Sequence, residues 1–429
     1  MQDAIKNIEN IINEEKIDCD FERVDNYIFT QDQDYVERIK DEVEAVNSLG
    51  FNAEFVDKIN IPIKPSNNEN NVKDEIINNK GDNINILKSV LGAIKFPNQA
   101  QFNCYKYVIG LANVVEQNGG KIYENSEVFD VEKQDNKYLI KTNNAIVKAK
   151  YVVIASHYPI INFPGFYFMK MYQETSYLIA AETKSELFEG MYINCESPTI
   201  SLRTALYNGK RVLIVGGMSH KTGAKIDLKD SYIKLEKVAK DLYPDCKVIF
   251  KWNTEDCVSL DKIPYIGEFS NLMPNVYVAT GYKKWGMTSS NVAAHIISDS
   301  ILENHNRYKN VFDSKRLKPI KNYKELTGMV KEVGYSLIIN KIKKSEEYLK
   351  DLKNDEGKII EVDNKKVGVY KDNCGNIFAV KPYCTHLGCE LSWNNLDKTW
   401  DCPCHGSRFN YKGENIYNPA LKDLEKRQL

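Results

Sequence analysis

The sequence predicts a mixed α/β or α+β core that fills roughly the first 300 residues, followed by a small all-β domain. Helical and strand-like segments alternate through the core. After residue 351 the pattern changes to short strands separated by Gly, Asn and Asp turns, which is typical of a small β domain. The length of 429 residues also indicates more than one domain.

The elements of the core follow from the spacing of apolar residues. The predicted helices are 1–17, 32–49, 100–118, 228–242 and 288–304. The predicted strands are 121–123, 127–133, 137–142, 145–154, 175–183, 211–216 and 275–279. In the β domain the predicted strands are 358–362, 366–371 and 376–380.

Composition excludes several classes of partner. Lys and Arg (58) nearly cancel Asp and Glu (59), so no bulk charge attracts the chain to nucleic acid or to anionic lipid. No apolar run approaches the ~18 residues that a membrane span needs. The N-terminus lacks the basic patch and apolar stretch of a signal peptide. We therefore expect a cytoplasmic protein with no membrane span and no nucleic-acid partner.

Five of the ten cysteines fall within 31 residues near the C-terminus, which indicates a metal site. Cys384 and His386 form a C-x-H motif. Fifteen residues then separate His386 from Cys402, which forms a C-x-x-H motif with His405. Two thiolates and two imidazoles suit either zinc or a [2Fe–2S] cluster. A third interpretation is a set of structural cysteines that bind no metal.

The residues around these four favour the cluster. Each ligand loop contains one more cysteine, Cys389 or Cys404, at a position where a disulfide could join the loops. Gly388 and Gly406 would let backbone amides approach sulfur closely. A zinc site has no use for this combination. Cys374 lies outside both loops and is interpreted as an ordinary residue of the β domain.

The boxes CTHLGC (384–389) and CPCHGS (402–407) closely resemble those of the Rieske family, and the resemblance covers about residues 345–429. It implies that Cys384 and Cys402 bind one iron, that His386 and His405 bind the other, and that Cys389 and Cys404 form a disulfide. Neutral imidazoles in place of two thiolates remove negative charge, so the cluster accepts an electron more readily. The resemblance therefore implies one-electron redox chemistry.

Two further positions bear on the reduction potential. Ser407 matches the residue that donates a hydrogen bond to the cluster in high-potential Rieske proteins. Phe409 occupies the position where a tyrosine usually supplies a second donor. We therefore expect a potential below that of the respiratory Rieske proteins.

A second candidate site lies near the end of the core. The stretch 275–304 reads as a strand ending in Ala279-Thr280-Gly281, a loop containing Gly286, and a helix from about Thr288. Backbone N–H groups at such a helix start suit the electron-rich edge of a reduced flavin. An ordinary strand–loop–helix packing unit is the alternative interpretation.

The order of motifs over residues 1–310 resembles the FAD-dependent oxidoreductases of the D-amino-acid oxidase and glycine oxidase family, especially bacterial members fused to a Rieske domain. The motifs are SHYP (156–159), SLRTA (201–205), GGMSHKTG (216–223), SLDKIPYIG (259–267) and ATGYKKWGMTSS (279–290). The resemblance implies that Val128 and Ala155 lie along the adenosine half of FAD, that Gly281, Gly286, Met287 and Thr288 lie near the isoalloxazine, and that Arg203 and His220 are candidates for the substrate side.

One departure from this family is large. The family begins with a strand and a G-x-G-x-x-G turn that binds the FAD pyrophosphate, and this sequence contains no such motif. Gly50 is the first glycine and stands alone. The expectation is a domain that is incomplete at its N-terminus, with weakened FAD binding and an unpaired strand edge.

These observations give three expected regions. They are a flavoprotein-like oxidoreductase domain at 1–310, a connector at 311–344 and a Rieske domain at 345–429. The expected function is flavin-dependent oxidation of an amine, an amino acid or a related small molecule, with electrons passed singly to or from an unknown partner.

Three alternatives remain at this point. The first is a non-enzymatic electron carrier that resembles the Rieske subunit of cytochrome bc complexes, although the absence of a membrane anchor argues against it. The second is a ring-hydroxylating oxygenase, which needs a site with two histidines and a carboxylate. The remaining histidines, His157, His220, His295 and His305, lack that spacing. The third is a chain that keeps the cluster and has lost enzyme activity.

Overall fold

The structure is a computed structural model that describes residues 2–63, 86–316 and 349–429. Its helices are α1 (Gln2–Glu14), α2 (Gln33–Ser48), α3 (Cys104–Gln117), α4 (Ser231–Leu242), α5 (Gly286–Ile301) and α6 (Lys309–Phe312). Strands β1 to β7 are Glu22–Thr30, Glu54–Val56, Gly92–Gln101, Val128–Gln134, Lys137–Thr142, Ile146–Ala149 and Val152–Ile154. Strands β8 to β14 are Met171–Glu182, Met191–Asn194, Ile200–Tyr207, Lys210–Lys221, Lys247–Ser259, Tyr265–Ser270 and Met273–Thr280.

The largest sheet has eight strands in the order β12-β8-β11-β10-β9-β1-β3-β2. Side chains alternate between its two faces, so Tyr177, Ile179 and Ala181 of β8 point to one side. There they join a core with Leu235 and Val238 of α4, which lie on one face of that helix because they are three residues apart. This face of the sheet we call the α4 face.

A second sheet positions the candidate flavin loop. It has the order β13-β14-β7, and β7 runs parallel to β14. Helix α5 covers one side of it through Ala293, Ile296 and Ile297. Among the described residues no strand pairs with the other edge of β7, where Val153 is 46% exposed. The expected open strand edge is therefore present in the described part of the chain. Strands β4, β5 and β6 form a separate antiparallel sheet.

The C-terminal domain consists of two small antiparallel sheets. Strands β15 to β21 are Glu356–Val362, Lys365–Lys371, Ile377–Val380, Ser392–Asn394, Thr399–Asp401, Arg408–Asn410 and Asn415–Tyr417. The first sheet has the order β15-β16-β17 and the second β18-β19-β20-β21. Trp400 and Phe409 are fully buried in a core that also contains Cys384 and Cys402. The cysteine loops are thus part of the hydrophobic core of this domain.

The C-terminal domain packs directly on the α4 face of the large sheet. A Cβ on Gly406 would lie 2.5 Å from the Cβ of Gln173, and one on Gly223 would lie 2.5 Å from the backbone nitrogen of Pro403. Only glycine allows such approaches. Gln173 also donates through Nε2 to the carbonyl of Asn418 at 2.9 Å. The two domains therefore meet at van der Waals distance beside the cysteine loops.

A buried arginine joins the domains at the same interface. The Arg408 side chain is 3% exposed and contacts three carboxylates: Asp401 at 3.0 Å, Asp397 at 2.7 Å and Glu255 of β12. It also donates to Asn253 at 2.9 Å. Burial raises the pKa of Glu255, and the charge of Arg408 acts in the opposite direction. Since an unpaired buried charge is costly, these partners fix the arginine and the docking of the domain.

Most predicted elements are present, with three kinds of difference. Residues 121–123 form no strand, because this exposed stretch after Gly119-Gly120 has no strand beside it, within the part of the chain that the structure describes, to supply hydrogen bonds. Helix α5 begins at Gly286 instead of Thr288, and α4 begins at Ser231. Eleven strands were not predicted from the sequence: β1, β2, β3, β9, β10, β12, β13, β18, β19, β20 and β21.

The predicted connector at 311–344 is described only at its start. Residues 313–316 still pack on the oxidoreductase domain: Arg316 binds Asp261 at 2.7 Å and its guanidinium lies 4.0 Å from the ring centre of Tyr265. The contacts of this domain therefore extend beyond the predicted boundary at residue 310. Residues 317–348 lie outside the described part.

Replacing the interdomain arginine tests its role. Arg408→Met should lower the free energy of unfolding by roughly 3–5 kcal/mol, because it leaves buried carboxylates without their partner. The measurement is denaturant unfolding followed by tryptophan fluorescence, with Trp393 and Trp400 reporting on the C-terminal domain. The control is Lys381→Met, which breaks a 3.4 Å pair with Glu425 at the surface and should cost about 0–1 kcal/mol. Equal midpoints for the two variants would contradict the assigned role of Arg408.

Candidate redox site

The four predicted metal ligands lie on two loops with the same backbone turn. In the first loop, Gly388 N–H donates to the Cys384 carbonyl at 2.8 Å, and in the second Gly406 N–H donates to the Cys402 carbonyl at 2.9 Å. Gly388 and Gly406 both have positive φ, at 79° and 80°. Each loop thus folds back on its own first cysteine. As a result, the predicted ligands of both loops face one buried space.

A disulfide between Cys389 and Cys404 joins the two loops, with a Cα–Cα distance of 6.6 Å. The sulfurs of Cys389, Cys402 and Cys404 all lie within 4.8 Å of one another. This trio is not a metal site, because two of its sulfurs are consumed by the disulfide. The thiols left for a metal are those of Cys384 and Cys402.

Those two thiols are neighbours in the core. Their sulfurs share a hydrogen bond, which lowers the pKa of Cys384 and raises the pKa of Cys402. Cys384 also accepts hydrogen bonds from the backbone of His386 and from the Ser407 hydroxyl. Ser407 is fully buried and its oxygen accepts from the Ala420 N–H at 2.9 Å. Hydrogen bonds of this kind stabilise a thiolate, the form that binds iron.

Both histidines have one ring nitrogen available for a metal. Nδ1 of His386 and Nδ1 of His405 are buried, and neither has a hydrogen-bond partner among the described residues. Burial lowers the pKa of His386 to about 4 and, together with the charge of His386, lowers that of His405 to about 3. Both rings are therefore neutral, as metal ligands must be. Two thiols and two unpaired Nδ1 atoms fit the ligand set of a Rieske cluster.

The outer ring nitrogens contact the oxidoreductase domain. Nε2 of His386 lies 2.7 Å from Oδ1 of Asn162, and His405 donates to the backbone carbonyl of Phe168. The Phe168 ring also meets both imidazoles edge-on, with ring centres 6.4 Å and 5.8 Å away. Asn162 and Phe168 were not predicted from the sequence, because they form no metal-binding pattern; they lie a few residues after the SHYP motif.

Tyr158, within that motif, was also missed. Its side chain is fully buried, and its hydroxyl has no hydrogen-bond partner in the part of the chain that the structure describes. Burial raises its pKa, as do the nearby sulfurs of Cys257, Cys402 and Cys384. A hydroxyl of the oxidoreductase domain thus lies near the two ligand sulfurs.

The predicted flavin loop follows β14. Gly281 has φ of +73°, and a Cβ added to Gly286 would meet no atom of another described residue within 4 Å, apart from its chain neighbours and its own helix. Trp285 caps α5 without a side-chain hydrogen bond, so the N–H groups of the first helical turn, which includes Met287 and Thr288, are not capped by a side chain. An uncapped helix start beside open space can bind an electron-rich ring edge.

A cavity of about 440 Å³ lies between the oxidoreductase domain and the C-terminal domain, and its lining does not include Val128 or Ala155. Their sequence neighbours Glu127, Ser156 and His157 line it, and residues 415–418 of the C-terminal domain close the other side. Val128 begins β4 and Ala155 follows β7. The chain neighbours of the two predicted adenosine-side residues therefore border one space, and the role of Val128 and Ala155 stays a prediction.

The two substrate candidates lie on opposite faces of the large sheet. His220 pairs with Thr175 on the α4 face and stacks on Tyr177, with ring centres 5.8 Å apart. Arg203 pairs with Ile214, whose partner is Ala180, so it lies on the other face. Because alternate residues of a strand point to opposite sides, the two candidates cannot line one pocket together. The Arg203 Nε is buried and has no partner among the described residues.

Charged residues that the sequence analysis missed lie beside the flavin loop. Lys284 of that loop contacts Ser219 at 2.5 Å and Glu174 at 3.8 Å. Glu174 pairs across the sheet with Asp256, so the two carboxylates share the face opposite α4. Burial raises the pKa of Asp256 to about 6. The positive charge of Lys284 lowers this pKa, and the negative charge of Glu174 raises it. Arg203 is six residues further along the sheet, roughly 20 Å away.

Comparison with protein families gives two matches. The family described as "FAD dependent oxidoreductase" (DAO) matches residues 1–300, and the family described as "Rieske [2Fe-2S] domain" matches residues 345–427. The first implies FAD and the second a [2Fe–2S] cluster. Among the described residues no helix is both long and apolar enough to cross a membrane.

One relative matches nearly the whole chain. The Rieske 2Fe-2S iron-sulfur protein YhfW of Bacillus subtilis (strain 168) is 34% identical over 424 residues, which are 99% of this chain and 78% of YhfW. A cytochrome b6-f complex iron-sulfur subunit of Nostoc sp. is 54% identical over only 42 residues, 10% of this chain and 24% of the subunit. That similarity is confined to a short stretch, which disfavours the carrier interpretation for the whole chain.

Solved structures share the fold of the core. Glycine oxidase from Geobacillus kaustophilus has a TM-score of 0.58 and 16% identity over 73% of this chain and 80% of the oxidase. L-proline dehydrogenase from P. horikoshii has a TM-score of 0.59 and 15% identity over 73% of this chain and 81% of the dehydrogenase. With the motifs and the two redox loops, these matches confirm the predicted architecture: the chain belongs to the DAO family of FAD-dependent oxidoreductases and carries a C-terminal Rieske [2Fe–2S] domain.

Proposed function

We propose that this chain oxidises an amine, an amino acid or a related small molecule and passes the electrons singly through its Rieske domain. Bound FAD would supply a two-electron acceptor, and the bound cluster a one-electron carrier. The substrate would lose a hydride and a proton at its C–N bond. The observation that carries the proposal is the direct packing of the cluster loops on the oxidoreductase domain, through Gly406 and Gly223.

We assign the cluster to Cys384, Cys402, His386 and His405. Their buried sulfurs and unpaired Nδ1 atoms support this assignment, as does the Ser407 hydrogen bond to Cys384. A non-enzymatic electron carrier would have no need of the oxidoreductase core that fills residues 1–300.

We assign the flavin edge to Gly281, Gly286, Met287 and Thr288, and the adenosine side to Val128 and Ala155. The uncapped start of α5 supports the first assignment and the 440 Å³ cavity supports the second. On the substrate side, the acidic pair Glu174 and Asp256 beside this loop favours a cationic amine. Arg203, roughly 20 Å from this pair, would not contact the same small molecule, and His220 lies on the other face of the sheet.

The cluster assignment gives the first test. Anaerobically purified protein should contain about two irons and two sulfides per chain and, when reduced, show the electron resonance of a histidine-ligated cluster. His386→Ala and His405→Ala should abolish that signal, because each removes an iron ligand. His295→Ala is the control, since its ring contacts Asn7 on α1 and should not affect the signal. One zinc per chain without sulfide would rule out the assignment.

The Ser407 hydrogen bond gives a second test. Ser407→Ala should lower the midpoint potential by roughly 20–60 mV, the equivalent of one hydrogen bond of about 0.5–1.5 kcal/mol in a one-electron couple. Phe409→Tyr should raise the potential if its new hydroxyl reaches a ligand sulfur. Redox titration followed by electron resonance measures both shifts. An unchanged potential in Ser407→Ala would show that its hydroxyl does not interact with the cluster.

The coupling of the two domains gives a third test. Because FAD binding is expected to be weak, the protein is first supplied with excess FAD; anaerobic mixing with a panel of amines and amino acids should then bleach the flavin and produce the reduced-cluster signal. Gly286→Leu should lower flavin content and this substrate-driven signal, because its side chain would fill the open space at the start of α5. Dithionite should still reduce the cluster in this variant.

Ser290→Leu is the matched control, since Ser290 is an exposed residue of the same helix. It should retain flavin and turnover. Wild-type flavin content in Gly286→Leu would refute the placement of the flavin edge. A wild-type cluster that no member of the panel reduces would refute the proposed substrate class.

A further inference from the structure

The outer edge of the candidate cluster is covered by one segment of the oxidoreductase domain, residues 162–168. Its first residue, Asn162, places Oδ1 2.7 Å from Nε2 of His386. Its last residue, Phe168, accepts a hydrogen bond from His405 through its backbone carbonyl. Since Nδ1 of His405 has no partner, Nε2 makes that second bond. Both histidine ligands are therefore bound on their outer side by the same short segment.

These contacts match the requirements of metal-bound imidazole. A ring that binds iron through Nδ1 carries its proton on Nε2, which must donate. An amide oxygen and a backbone carbonyl both accept, so each is a correct partner. They hold each ring in one tautomer and one orientation. Neither acceptor is itself a donor at that oxygen, so each can only receive the Nε2 hydrogen bond.

The same segment leads to the flavin loop. It continues through a 3-10 turn at Tyr167–Met169 into β8, which begins at the fully buried Met171. The Met171 sulfur lies 3.7 Å from Oγ1 of Thr280 and 3.4 Å from the position a Cβ would occupy on Gly281. Three peptide bonds and one side-chain contact thus connect Phe168 to the residues at the start of the flavin loop.

We propose that residues 162–168 are the electron-transfer contact between the flavin side and the cluster, with Asn162 and the Phe168 carbonyl as positioning groups. This inference rests on the proposed function. Each crossing moves one electron between the two centres and makes or breaks no bond. The histidine edge of the cluster then exchanges electrons with the flavin of the same chain. An external electron donor or acceptor must reach the cluster from another side.

The side-chain contact can be removed by substitution. Asn162→Leu keeps a similar volume and removes the acceptor from His386. The full-length holoprotein should retain its iron and its reduced-cluster signal. Its midpoint potential should rise, because the ligand ring loses a partner that makes it a stronger electron donor. Although the higher potential favours reduction, substrate-driven reduction of the cluster should be roughly tenfold slower, the lower end of the loss seen when an outer partner that orients a metal ligand is removed. Asn144→Leu, at an exposed turn of the same domain, is the matched control.

A second readout does not depend on turnover. Pulsed electron resonance of dithionite-reduced protein in D2O detects exchangeable protons on the histidine ligands. In wild type, exchange at Nε2 of His386 should be slow, and in Asn162→Leu it should be fast. Asn162→Asp, which keeps an acceptor oxygen and adds negative charge, should lower the potential and keep exchange slow.

The outcomes separate this inference from the proposed function. Unchanged potential, exchange and transfer rate in Asn162→Leu, with normal substrate-driven reduction in wild type, would overturn the contact and leave the proposed function intact. If wild-type protein shows no substrate-driven reduction, the proposed function fails. The exchange measurement would still decide whether Asn162 binds the cluster ligand. If Asn162→Leu does not fold, a lowered potential in Asn162→Asp supports the contact and an unchanged one overturns it.

Discussion

The fixed position of the C-terminal domain on the large sheet is the constraint on which the redox site depends. Arg408 provides much of this constraint, because a guanidinium at 3% exposure must keep its carboxylate partners, and one of them, Glu255, belongs to the other domain. The close approaches at Gly223 and Gly406 leave no room for the domain to slide. If this docking were loose, the loops that hold the candidate cluster would not remain against the oxidoreductase domain.

This docking makes the α4 face of the sheet an interdomain surface. Gln173, Thr175 and Tyr177 alternate with Glu174 and Ser176 along β8, so one strand serves both sides. The α4 face of the strand contacts the cluster domain. On the opposite face, Glu174 lies next to the flavin loop. The cluster domain and the acidic residues beside the flavin loop therefore lie on opposite faces of the sheet. Met171, at the start of β8, contacts Thr280 at the start of the flavin loop.

The site also has two electrostatic environments. Around the histidines, burial favours neutral groups, and it lowers the pKa of both rings to about 4 and 3. Beside the flavin loop the surroundings are charged, with Lys284 set against Glu174 and Asp256. A neutral pocket suits a metal centre whose ligands must not be protonated, whereas a charged rim suits recognition of an ionised small molecule.

The sequence by itself determined the metal-ligand pattern, the cysteine pair beside it and the strand–loop–helix unit at Gly281–Thr288, because each depends on residues close together in the chain. Helices with clear apolar spacing, such as α4, were equally predictable. The open edge of β7 was also anticipated from the missing glycine motif. Short strands such as β18 to β21 could not be predicted from the sequence, because pairing with neighbouring strands, and not composition, makes them strands.

Only the tertiary structure decided which face of the sheet each side chain occupies. His220 and Arg203 look equivalent in sequence, but a bulge between Gly217 and His220 and the alternation of the strands place them on opposite sides. Asn162 and Phe168 carry no local signal at all. They reach the histidines of a domain more than 200 residues later because the two domains dock, and contacts of that kind depend on the packing of the whole chain.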